Sequence, residues 1–275
     1  MPESIETRDG TRLFLLDWGA GAPIVFVHGF TLNADVWEHQ MMHLAERGHR
    51  CVAYDRRGHG RSEKSWSGYD FDTLANDLAD VLATLDLREV TLVGHSIGAC
   101  EVVRYLSRHG AERVSRVVLV SAAVPSVLHA PDAPQGLTVE TFEWMIAEME
   151  RDRPAYYASV APRVFGDEIP EERYRWVMSI ALQTSLRAAV GCTRAQSRDD
   201  FTNDLAAVTM PTLIVHGSAD QSNPVALTAA RAAAAIPNSQ LIVYDGAPHG
   251  LPVTHAQRLS EDLLAFVTQD VGAAV

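Results

Sequence analysis

Two hydrophobic rhythms alternate along this chain. From Ser4 to Trp18 apolar and polar positions alternate around Asp9-Gly10, a strong short-range hairpin signal, which predicts two antiparallel strands. Residues 23–27 (Pro-Ile-Val-Phe-Val) are an unbroken apolar run, as expected of a strand covered on both faces, and the run stops at His28-Gly29-Phe30. The spacing then changes. Trp37, Met41 and Leu44 recur at helical intervals between Val36 and Arg47, and Gly48 ends the pattern. Cys51 to Tyr54 is strand-like again and runs into Asp55-Arg56-Arg57-Gly58-His59-Gly60-Arg61-Ser62. Phe71 to Leu87 places Leu74, Leu78, Val81, Leu82 and Leu85 on one face, the mark of an amphipathic crossover helix.

The next apolar run, Val90 to Val93, enters Gly94-His95-Ser96-Ile97-Gly98 and then a helical pattern from Ala99 to Arg108, after which Val117 to Val120 reads as a buried strand. Strands alternating with helices in this way predict a parallel sheet covered on both faces, an α/β fold. From Pro125 to Asp204 the strand rhythm disappears. Helices are expected at Thr138–Arg151, Pro154–Val164 and Arg173–Arg194, punctuated by Pro131, Pro134, Pro154, Pro162 and Pro170. The chain therefore divides into a core, 1–124 and 205–275, and an inserted helical cap, 125–204. The sheet resumes at Thr212–Val215, followed by an Ala-rich helix from Pro224 to Ala235, a strand at Leu241–Tyr244 and a last helix over Asp262–Thr268, with Leu259, Leu263 and Phe266 toward the core. Residues 270–275 read as a frayed tail.

Composition narrows the class. With 275 residues, 47% hydrophobic and 21% charged, the chain has ample material for a continuous core. A formal net charge of -12 argues against a nucleic-acid or anionic-membrane surface, which would need clustered Lys and Arg. Three cysteines without a CxxC spacing suggest neither a disulfide framework nor a zinc site, and a reducing, cytoplasmic location is expected. No basic, apolar leader opens the chain, and no apolar run approaches membrane-spanning length. HExxH, GxGxxG and P-loop patterns are absent, so no metal and no nucleotide or other cofactor is expected. Homo-oligomerisation is left open.

The chemistry centres on Gly-x-Ser-x-Gly. The pentapeptide alone recurs by chance in roughly one chain in ten of this length, so its context decides. Between a strand and a helix it is a nucleophile elbow that holds Ser96 at a strained tip. A serine hydroxyl needs a general base, and the base needs an orienting acid. In an open α/β sheet these groups collect at the carboxyl ends of strands. Asp220 follows the Leu213–Val215 run and His249 follows the Leu241–Tyr244 run, which completes the order Ser, Asp, His. Asp245 also ends a strand, but it shares that strand with His249 and better serves the turn at Gly246. The backbone N–H groups of Ile97 and Phe30 are the expected oxyanion donors. Among the other histidines, His95 is expected to diverge from the nucleophile, His28 and His216 to serve packing or turns, and His39, His43, His49 and His109 to be solvated. Asp55 to Ser62 reads as a structural turn whose charges satisfy buried backbone.

At these residues the chain resembles the α/β-hydrolase fold superfamily, most nearly its cofactor-free haloperoxidase and aryl esterase group. The matching stretches are Val27-His28-Gly29-Phe30 with Trp37, Tyr54 to Ser62, Val93 to Gly98, His216 to Asp220 and Ala247 to Gly250. The resemblance implies a mostly parallel eight-stranded sheet, Ser96, Asp220 and His249 as a catalytic triad, and hydrolysis of small carboxylic esters through an acyl-enzyme. Lactonase, amidase or perhydrolase activity on the same triad is the alternative, and a non-enzymatic small-molecule receptor is a third reading. Perhydrolase-like members often carry proline directly after the oxyanion-loop aromatic, where this chain has Thr31, a departure that weighs against perhydrolysis. Thr31, Val124, Phe142 and Tyr156 are the expected substrate pocket, with Trp144, Tyr157, Phe165 and Trp176 as further aromatics of the cap.

Overall fold

The unbroken apolar runs become strands that lie side by side, because side chains on both of their faces require cover. In the computed structural model, which describes residues 3–269, eight strands form one sheet. They are β1 (Ser4–Glu6), β2 (Arg12–Gly19), β3 (Ala22–Val27), β4 (His49–Tyr54), β5 (Val90–His95), β6 (Val114–Val120), β7 (Thr212–Gly217) and β8 (Ser239–Tyr244). Their order is β1-β2-β4-β3-β5-β6-β7-β8. β2 pairs antiparallel with β1 and β4, and every other pairing is parallel.

Register brings the carboxyl ends together. Val27 lies opposite Gly94, Gly94 opposite Leu119, Val120 opposite Val215, and Gly217 opposite Tyr244. The turns after β3, β5, β6, β7 and β8 therefore share one edge of the sheet. Alternate residues of the central strands feed two cores: Val25, Val27 and Leu92 pack on one face, Ile24, Phe26 and Val93 on the other. The first face is covered by α2 (Phe71–Thr84) and α3 (Ile97–His109), the second by α1 (Glu38–Ala45) and α9 (Ala256–Val267). Leu259, Leu263 and Phe266 are buried in that second core.

Between β6 and β7 run α4 (Val139–Phe165), α5 (Glu171–Ala181) and α6 (Leu186–Gln196). Here the helix limits differ from expectation. The two helices expected at 138–151 and 154–164 abut in α4 at Asp152, whose φ of -159° is extended and whose carboxylate accepts the Ala155 N–H at 3.0 Å. The single helix expected over 173–194 breaks at residues 182–185. Ser185 caps α6 by accepting the Ala188 N–H at 3.1 Å, while its own N–H donates to the Gly58 carbonyl at 2.8 Å. The Ala-rich helix is shorter than expected, α7 (Ala229–Ala235), and a short α8 (Leu251–Thr254) was not foreseen. His49 is buried in β4 rather than solvated. The tail expected at 270–275 lies outside the described residues. No helix among the described residues is long and apolar enough to cross a membrane.

Candidate active site

Ser96 stands between β5 and α3 with φ 55° and ψ -120°, left-handed backbone that costs a non-glycine residue about 1–3 kcal/mol. Its neighbours must be glycine for the turn to close. A Cβ at Gly94 would meet the Ala99 backbone at 2.7 Å, and one at Gly98 would meet the Val27 carbonyl oxygen at 2.4 Å. Ser96 N–H donates to the Val120 carbonyl at 2.9 Å, which fixes the tip against the neighbouring strand.

Asp220, in the turn after β7, is almost fully buried. Its Oδ1 accepts the N–H groups of Ser222 and Asn223, both at 2.8 Å, and its Oδ2 accepts His249 Nδ1–H at 2.7 Å. Burial alone would push this carboxyl up. The charge of His249 and hydrogen bonds from His216 and His249 outweigh burial and hold it well below the usual carboxylate range. Asp245 is exposed and, among the described residues, accepts a 3.3 Å hydrogen bond from Ser218 Oγ. Of the two strand-end acids, Asp220 is thus the one joined to His249.

His249 Nε2 and Ser96 Oγ make no hydrogen bond among the described residues, and both residues line one cavity of about 190 Å³. An imidazole held at Nδ1 by a carboxylate, with Nε2 free beside a serine, can move a proton off that serine. The backbone N–H groups of Phe30 and Ile97 also have no partner among the described residues, and both residues line the same cavity. Ile97 opens α3, so its N–H lies at the positive end of a helix. Thr31, Phe142 and Tyr156 line this cavity. Val124 does not line it: its side chain is fully buried in the first core. Tyr157 and Phe165 join the wall, whereas Trp144 and Trp176, 54% and 38% exposed, lie off it.

The family model for the alpha/beta hydrolase fold matches residues 22–256. The chain belongs to the alpha/beta hydrolase family. It is 39% identical over 272 residues to a non-heme chloroperoxidase of Kitasatospora aureofaciens, covering 96% of this chain and 98% of the relative. To a bifunctional esterase/perhydrolase of Acinetobacter calcoaceticus it is 35% identical over 271 residues, covering 96% and 98%. Among solved structures, an esterase from Exiguobacterium antarcticum superposes with a TM-score of 0.95 at 31% identity, covering 98% of this chain and 100% of that one.

Further residues of this alpha/beta hydrolase shape the site. His95 packs against His249: the rings lie 5.0 Å apart, and His95 Nε2–H donates to the His249 carbonyl at 3.3 Å. Burial, with the nearby charge of His249, pushes His95 down to about 3. His28 is fully buried, with Nδ1–H donating to the Gly29 carbonyl at 2.8 Å and Nε2 accepting the Arg56 N–H at 2.9 Å. In the turn after β4, Asp55 accepts the N–H groups of Ala34 at 2.8 Å and Arg61 at 2.7 Å, a use of charge to satisfy backbone. Asn223 and Arg163, which no sequence pattern singles out, line the cavity, and His216, expected to serve packing or a turn, touches Asp220 at 3.1 Å. Cys51, Cys100 and Cys192 are free and buried, and no group of three or more His, Cys, Asp or Glu among the described residues is placed to hold a metal ion.

Proposed function

We propose that this alpha/beta hydrolase is a serine esterase acting on small carboxylic esters, EC 3.1.1 in type. Ser96 is its nucleophile, His249 its general base and acid, Asp220 the acid that orients the imidazole, and the Phe30 and Ile97 N–H groups its oxyanion hole. The observation that carries the reading is the 2.7 Å bond from His249 Nδ1–H to the buried Asp220 carboxylate beside a cavity that Ser96 shares. His249 Nε2 takes the hydroxyl proton as Ser96 Oγ attacks the ester carbonyl, and the tetrahedral oxygen anion is held by the two N–H groups. His249 then returns the proton to the leaving alcohol. Water repeats the sequence on the acyl-enzyme and frees the acid. The cavity wall is mainly apolar, with Val127, Leu137, Phe142 and Met145 among its residues, which suits an uncharged acyl group.

The test is Ser96→Ala assayed on p-nitrophenyl esters of graded acyl length. Turnover is expected to fall by at least about 10³-fold, and retained turnover overturns the assignment. A chelator is expected to leave the wild-type rate unchanged.

A second reading, peracid formation from carboxylic acid and hydrogen peroxide, draws on the relative named esterase/perhydrolase. The backbone weighs against it. Proline fixes φ near -65°, roughly, whereas Thr31 has φ 57°, so the loop after Phe30 follows a path that a proline-bearing loop cannot take. Peracid formation is expected to be slow relative to ester hydrolysis in a direct assay of both.

A further inference from the structure

His216 ends β7 and is fully buried, yet ester hydrolysis as set out above gives it nothing to do. Its Nε2 lies 2.6 Å from the Asn223 carbonyl oxygen and 3.1 Å from Asp220 Oδ2. A carbonyl oxygen can only accept, so Nε2 carries a hydrogen, and that hydrogen is shared between the two oxygens. The Asp220 carboxylate is therefore fully subscribed. Oδ1 takes two backbone N–H groups, while Oδ2 serves His249 at 2.7 Å and His216 at 3.1 Å. Asn223 completes the frame: its N–H reaches Oδ1 and its side-chain amide donates to the Ser121 carbonyl at 2.8 Å.

We propose that His216 is a positioning residue of this site: by donating to Asp220 Oδ2 it limits how strongly that oxygen holds the His249 Nδ1–H, and so sets how readily His249 takes up a proton. The proposal rests on the reading of Ser96, His249 and Asp220 as a triad. An oxygen that accepts a second hydrogen bond offers less negative charge to the first donor, and the imidazolium opposite it is stabilised less. Remove the second donor and Oδ2 belongs to His249 alone, which makes the imidazolium more stable. Among the described residues, the other ionisable groups that share the cavity with His249 are His95, pushed down to about 3 by burial, Tyr156 and Tyr157, whose phenols burial pushes up, and Arg163, which α4 contributes to the wall. The imidazole of His95 and the two phenols do not change charge over the neutral range.

The experiment is the pH profile of kcat/KM on a p-nitrophenyl ester for the wild type, His216→Leu and His216→Gln. His216→Leu removes the donor, and its acid limb is expected to move up by about half a pH unit or more; His216→Gln retains an amide N–H, and its limb is expected to stay within about 0.2 of wild type. A limb that is unmoved or moves down in folded His216→Leu overturns the proposal. Should His216→Leu fail to fold, the ¹⁵N-histidine NMR spectrum of the wild-type protein decides. A hydrogen on His216 Nε2 supports the assignment, and its absence overturns it. Ser96→Ala separates the two levels: turnover in that variant sinks the triad reading itself, whereas a dead Ser96→Ala with an unmoved His216→Leu limb sinks only the role of His216.

Discussion

Arg56 Nε lies 2.8 Å from Glu101 Oε2, with both side chains fully buried. The pair joins two segments of the site. Arg56 Nη2 donates to the His28 carbonyl at 2.7 Å, directly before the loop that presents Phe30 N–H, and Glu101 sits on α3, which Ile97 opens. Tyr54 OH donates to the other Glu101 oxygen. Removing one member of such a pair strands the other charge in the core, so Glu101→Ala is expected to cost about 3–5 kcal/mol in urea unfolding. In the fraction that stays folded, kcat is expected to fall more than KM rises, because the loop and helix lose their tie. A cost under about 1 kcal/mol would show that water reaches Arg56 and that the pair does not anchor the loop.

The two strand-end acids separate cleanly by mutation. Asp220→Asn keeps the shape but loses the charge opposite His249, and kcat is expected to drop about 10⁴-fold. Asp245 is exposed and apart from His249, so Asp245→Asn is expected to stay within about twofold of wild type. Steady-state kinetics of the two variants on one ester decides. Equal losses in both would contradict the geometry.

Much of this arrangement was legible because parallel strands are buried on both faces and so appear as apolar runs that stop where the chain turns. Register then carries those turns to one edge, which is why Ser96, Asp220, His249 and Phe30 could be picked out as strand-end residues. What escaped depends on contacts between distant residues. The break at 182–185 contains neither glycine nor proline; it is held by Thr184 Oγ1 donating to the Thr31 carbonyl at 2.9 Å and by Ser185 N–H on Gly58. Val124 is an apolar residue in the loop after β6, and nothing local says whether such a residue faces the cavity or the core. His216 and His95 acquire their meaning only from where the 216–223 turn and the His249 carbonyl fall in space.

The corrected cavity wall gives a contrast between two apolar residues. Phe142 is buried and lines the cavity, so Phe142→Leu opens room and is expected to shift the preferred p-nitrophenyl ester toward longer acyl chains. Val124 is equally buried but belongs to the core, so Val124→Ala is expected to cost about 2 kcal/mol of stability while leaving the acyl-length profile unchanged. A changed profile in Val124→Ala would return that residue to the pocket wall.

Asp220 also ties stability to pH, and the sign follows from the direction of its shift. Its folded pKa is depressed, because the charge of His249 and hydrogen bonds from His216 and His249 outweigh burial. A depressed carboxyl stabilises the fold fully above its unfolded value of about 3.9, and that stabilisation is lost as pH falls through the folded value. Unfolding free energy of the wild type is therefore expected to decline below about pH 4, and Asp220→Asn, with no proton to take up at this position, is expected to decline less steeply over the same interval. Urea unfolding at steps between about pH 5 and about pH 2.5 measures both slopes. Parallel slopes would mean that Asp220 takes up its proton equally readily in the folded and unfolded chains, which its four hydrogen bonds argue against.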